Sequence, residues 1–110
     1  MSALLEHPAG HPAAVAVAEI GAVLDAVSGS SLWSLPDGDL QEVTVAAGRI
    51  VNRVQALLVR LVGEVDSREL GLRSGASTTA GWVRHRLGVT LREANQLAAV
   101  AAATRTRLSV

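Results

Sequence analysis

The sequence predicts an all-α protein, and three observations predict it. Apolar residues recur at spacings of three and four along most of the chain. No stretch alternates polar and apolar residues as a half-buried strand does. Gly, Ser and Pro residues punctuate the chain into segments of helical length.

Taken in order, Met1 to Gly10 reads as a loose leader. Pro12 suits a first helical turn, where its missing N–H costs nothing. Val17, Ile20, Val23, Leu24 and Val27 then recur at helical spacing, which predicts a helix over 12–27 that the cluster Ser28, Gly29, Ser30, Ser31 ends. Trp33, Leu35 and Pro36 lead into an acidic helix start. Asp37 and Asp39 are both N-cap candidates, and either carboxylate favours the positive end of the helix dipole. The expected organisation is a leader and first helix over 1–36 followed by a helical region over 37–110.

The pattern that follows is the most sustained in the chain. Leu40, Val43, Ala47, Ile50, Val54, Leu57 and Leu61 alternate spacings of three and four through three heptads, predicting one helix over about 39–70. At about 1.5 Å per residue it spans on the order of 45 Å, more than a small globule needs. Its stretch Ala56 to Val62 is apolar almost all round, and such helices are normally covered on several sides. The short helices left in the chain are too few to cover it. Leu40, Val43, Ile50, Val54, Leu57 and Leu61 are therefore the candidate interaction residues, with a second copy or a downstream segment as the partner.

Gly71 is the expected terminator of that helix, and Leu72 to Ala76, containing Gly75, the connector after it. Ser77 or Thr78 can cap a short helix carrying Trp82, Val83 and Leu87, which Gly88 ends. Thr90 and Glu93 have the capping-box spacing. They open a last helix whose buried side is expected to be Leu91, Ala94, Leu97, Ala98 and Ala101.

The segment Thr79 to Val100 has the layout of a helix-turn-helix unit, with Gly88 at the tight turn and Val83, Leu87, Val89, Ala94 and Leu97 at interior places. The place four before the glycine, usually small, holds Arg84. Arg92, Asn95 and Gln96 lie on the outward side of the second helix, with Thr90 at its start. These side chains, with Arg84 and Arg86, can pair with base edges and phosphates of double-stranded DNA. They are also ordinary residues of a solvated helix face. Trp82 is expected to anchor its short helix to the long one, with Arg86 lying across or beside its ring.

Composition narrows the function classes. The 110 residues are 49% hydrophobic and 18% charged, enough apolar matter for a core. Trp33 and Trp82 are the only aromatics, so the stacking platforms of many single-strand nucleic-acid binders cannot be built. Cysteine is absent, which removes disulfides, thiolate metal sites and cysteine nucleophiles together. Net charge is zero but divided. Residues 1–42 hold six carboxylates and no Arg, whereas residues 43–110 hold ten Arg against four carboxylates. Such asymmetry marks an anion-facing end or two halves that attract one another.

No catalytic constellation is visible. Glu64, Asp66 and Glu69 alternate with Arg60 and Arg68 and read as solvated ion pairs. His7 and His11 are four apart, but Pro8 and Gly10 between them argue against a rigid metal-binding helix, and His85 has no neighbouring ligand. No metal, no cofactor and no membrane span is predicted. With no cation before Arg49, the N-terminus lacks the basic start of a secretory signal, so the expected location is the cytoplasm.

The run EVDSRELGLRSGASTTAGWVRHRLGVTLREANQLAAVAAA carries an E-x-D-x-R close to the long helix, a GAST connector, a GWVRHRLG segment and a T-L-R-E-A helix start. It resembles the Domain of Unknown Function 222 family, the N-terminal domain of actinobacterial proteins of the HNH endonuclease and 13E12 repeat type. The resemblance covers roughly residues 37–108, and the preceding residues match only as a helical lead-in. It implies that the chain is the front of such a protein, ending ahead of the HNH nuclease module. The family's catalytic residues have no matching positions here. The expectation is a non-catalytic helical accessory region that positions a nuclease on DNA or holds subunits together.

Overall fold

The computed structural model describes residues 10–108, and the helices alternate with short turns in the order the sequence predicts. Two compact units make up the chain, Met1–Asp39 and Leu40–Val110. The fold is all-α, with no strand among the described residues. The leader reading of Met1 to Gly10, His7 included, falls almost wholly outside the described residues.

Helix α1 runs Pro12–Val27, as the pattern predicts. His11 caps it: the ring Nδ1 accepts a hydrogen bond from the Ala13 backbone N–H at 3.0 Å, while Pro12 has no N–H to satisfy. At the other end the Ser28 hydroxyl donates to the Asp25 carbonyl. None of its residues is buried. A 3₁₀ turn, Leu32–Ser34, follows and leaves Trp33 88% exposed.

Helix α2 runs Asp37–Ser67, 31 residues or about 46 Å. Because the helix begins at Asp37, Asp37 and Asp39 both sit inside its first turn rather than ahead of it. They still face the positive end of the dipole. The far end departs from expectation. The helix stops at Ser67, not near 70, and Gly71 does not end it. Glu69 takes the left-handed conformation instead, with φ 55°. For a residue with a Cβ that costs about 1 kcal/mol or more, so packing beyond the turn has to support it. The support is visible in α3, the single turn Leu70–Arg73. Gly71 is buried there, and a Cβ on it would meet the Trp82 Cβ at 3.0 Å. Gly71 is spent on close approach, not on backbone freedom.

The connector closes with a Schellman arrangement. Gly75 adopts φ 94° and donates to the Leu72 carbonyl, and the Ala76 N–H reaches back to the Gly71 carbonyl at 2.9 Å. Helix α4, Thr79–Leu87, is capped by Thr78, whose Oγ1 accepts from the Gly81 N–H, and ends at left-handed Gly88. Helix α5, Leu91–Leu108, opens with the predicted capping box. The Thr90 Oγ1 accepts from the Glu93 N–H, and the Glu93 carboxylate accepts from the Thr90 N–H, both at 3.1 Å.

Within the unit Leu40–Val110, Val62 of α2, Val83 of α4, and Ala94 and Ala101 of α5 form the buried core. Leu58, Val59, Ala80, Trp82, Val89 and Leu97 pack around it. Small residues bring the helices together: a Cβ on Gly63 would sit 3.7 Å from the Ala101 carbonyl oxygen. Two residues expected inside are exposed. Leu87 and Leu91 flank the turn at Gly88, where half-buried Val89 takes the inward place.

Two glycine substitutions separate close packing from helix propensity. Gly71→Ala drives a methyl group against the Trp82 Cβ, which no rotamer change can move. A net loss of about 1 kcal/mol is expected, because overpacking outweighs the propensity gain. Gly48→Ala, in open space within α2, is expected to raise stability by about 0.5–1 kcal/mol. Urea denaturation of both variants checks the pair, and equal effects would sink the packing account.

Candidate interaction surface

Around its axis, the C-terminal half of α2 uses two different faces. Leu58, Val59 and Val62 turn toward α4 and α5 and join the core. Leu57 and Leu61, with Val54 ahead of them, lie roughly a third of a turn away, because successive helical residues advance about 100°. This second face continues along the helix as the heptad stripe. Leu40, Val43, Ile50, Val54 and Leu61 are each 39–52% exposed, and Leu57 is half-buried. The unit therefore folds on one apolar face of α2 and leaves the other uncovered. Val51, 62% exposed, widens the stripe on one side.

The candidate DNA-facing residues are placed less uniformly. Arg84 lines a shallow concavity with Gly81, His85, Gly88 and Val89. The Arg86 guanidinium carbon lies 5.6 Å from the centroid of the Trp82 ring, a cation–π contact. The indole N–H of Trp82 is buried with no hydrogen-bond acceptor among the described residues, so packing and Arg86 hold the ring. Arg92 and Asn95 are exposed on α5. The Thr90 hydroxyl is engaged in the helix cap. Gln96 faces elsewhere, lining an apolar groove with Gln55, Leu58, Val59, Leu97 and Val100. The structure thus groups Arg84 and Arg86 on α4 and sets Gln96 apart from them, toward α2.

One polar cluster was not visible in the sequence. Asp66 is half-buried. One of its carboxylate oxygens accepts from the Thr79 hydroxyl at the start of α4, and the other pairs with the Arg105 guanidinium of α5 at 3.1 Å. The same Arg105 nitrogen donates to the Gly63 carbonyl at 3.2 Å. Asp66 therefore ties three helices together, which corrects its reading as one of several solvated ion-pair carboxylates. Glu64 is such a residue: its pair with Arg68 is 61% and 67% exposed on the two side chains. Nothing local signals the Asp66 cluster, since Arg105 lies a helix pair away.

Among the described residues no group of three or more His, Asp or Glu side chains is arranged to hold a metal ion. His11 is engaged at its helix cap. Among the described residues no helix is long and apolar enough to cross a membrane. Comparison with protein-family models, curated proteins and solved structures finds no match for this chain.

Asp66→Ala removes one acceptor from Thr79 and one partner from Arg105. It is expected to destabilise the Leu40–Val110 unit by about 1–2 kcal/mol, most of it hydrogen bonding, since a half-exposed ion pair adds little. Glu64→Ala is expected to cost under about 0.5 kcal/mol. Equal costs in thermal unfolding would contradict the clamp.

Proposed function

We propose that this chain is a helical protein–protein interaction module, in which α2 offers the Leu40–Leu61 stripe to a partner. The observation that supports it is the division of α2 into two apolar faces, one consumed by the core and the other uncovered. Burying a half-exposed Val, Ile or Leu contributes about 1 kcal/mol, and several in a row supply the energy of an association. A contiguous apolar surface on a folded unit is a characteristic of docking faces. The reading is one of the two accessory roles expected from the resemblance to the Domain of Unknown Function 222 family, the other being to position a nuclease on DNA.

The test separates a docking face from a structural one. Val54→Gln and Ile50→Gln are expected to leave the unfolding midpoint at low protein concentration within about 1 °C, and to reduce binding of a hydrophobic dye. Val83→Ala, in the core, is expected to lower stability by about 2 kcal/mol. If the stripe variants unfold as readily as the core variant, the stripe belongs to the fold and the proposal fails.

A second reading, docking to duplex DNA, is favoured by one observation. Arg84 and Arg92 are exposed, and neither has a carboxylate within ion-pairing distance among the described residues. With Arg86 they are three of the cationic side chains that α4 and α5 carry. Three or four phosphate contacts give a slope of about −3 to −4 in log affinity against log salt, and Arg92→Ala flattens it by about one. Absence of binding at low salt rejects this reading.

A further inference from the structure

The heptad pattern places Leu40, Ala47, Val54 and Leu61 at one set of seam positions and Val43, Ile50 and Leu57 at the other. The two flanks of this seam differ. On one side Arg53 and Arg60 border the seam, with Glu42 and Arg49 on the same side but farther round the helix, all charged and exposed. On the other lie Gln41, Thr44, Gly48, Val51 and Gln55, none of them charged. Along the charged flank the sign changes, acidic near the start of the helix and basic from Arg49 onward.

That arrangement is complementary to itself in one orientation. In a parallel helix pair each charged flank lies against the uncharged flank of the other helix. In an antiparallel pair like flanks meet, and the acidic end of one lies against the basic end of the other. Resting on the interaction-module reading, we propose that the occupant of the stripe is a second copy of this chain, paired α2 to α2 in antiparallel sense about a twofold axis.

The register follows from the seam. Leu40 lies opposite Leu57, Val43 opposite Val54, and Ala47 opposite Ile50, each pair occurring twice by symmetry. Along the axis Glu42 then falls between Arg53 and Arg60 of the second copy, Arg49 lies near its own symmetry mate but turned outward from the seam, and Val51 meets Thr44 on the uncharged side. The small Ala47 beside the axis lets the helices approach closely against Ile50. The paired stretch is about 27 Å long. It ends where Leu58, Val59 and Val62 begin to serve the core, so docking and folding draw on different side chains. A seam of this length lies near the lower end of specific interfaces, and the expected dissociation constant is micromolar.

The absence of native cysteine allows a direct test of orientation on the full chain. Sedimentation equilibrium is expected to show a monomer–dimer equilibrium. Under mild oxidation neither Leu40→Cys nor Leu57→Cys alone is expected to yield a disulfide dimer, whereas a mixture of the two yields a mixed one. Dimers cross-linked by each variant alone would overturn the antiparallel seam and leave the interaction reading standing. A monomer at every concentration would overturn the second copy as occupant, leaving α1 of the same chain or a different protein for the stripe; the glutamine variants then decide whether the stripe is a docking face at all. Charge reversal gives a second measurement away from the seam. Glu42→Arg is expected to weaken the dimer about tenfold, and adding Arg53→Glu with Arg60→Glu to restore it within about twofold. A triple variant no tighter than the single one would contradict the register.

Discussion

Helix α2 carries apolar side chains on two faces, and the helices packed beside it in its unit cover one. The limit is set by side-chain size. Ala94 and Ala101 of α5 and Gly63 of α2 are small enough for the two helices to lie close, and Val62 and Val83 are buried beside them. The same smallness makes α5 a narrow cover, reaching Leu58 and Val59 but not the Val54, Leu57 and Leu61 side. A core of four small buried residues also supplies limited stabilisation, as surface-to-volume scaling dictates for short chains. An uncovered face and a modest core are two consequences of one packing choice.

The joint between α2 and α4 keeps that choice in place. Glu69 pays a backbone penalty in the left-handed region so that the chain can turn at Ser67 and press Gly71 against Trp82. Asp66 then fastens the start of α4 through Thr79 and the body of α5 through Arg105. All of these contacts fall toward the C-terminal end of α2. The stretch Leu40–Leu57 is thereby left as an extension of the folded unit, well suited to present a continuous surface to something else.

The candidate surface was legible in part because its chemistry is periodic. Seven apolar residues at alternating spacings of three and four announce a seam without reference to any fold, and the charges beside them announce a polarity. The residues proposed for DNA contact were chosen by type and by helix position. The cap made by Thr90 and the contact of Arg86 with Trp82 are local and follow from spacings of three and four, but side-chain type does not reveal that Gln96 faces a groove shared with Gln55 and Val59. That last placement depends on how α5 sits against α2.

Local grammar alone settled the helices and most of their ends. Pro12 acts through the N–H it lacks, and Thr78, Gly88 and the Thr90–Glu93 box act through bonds to backbone groups three or four residues away, so their effect is written in nearby residues. Tertiary structure decided what distance in sequence conceals. It determined which of two apolar faces of α2 enters the core, why Gly71 is a contact and Glu69 the turn, and that Asp66 meets Arg105 from another helix. Leu87 and Leu91 belong with these, apolar by type yet exposed, because burial is allotted by the shape of the neighbouring helices rather than by hydrophobicity.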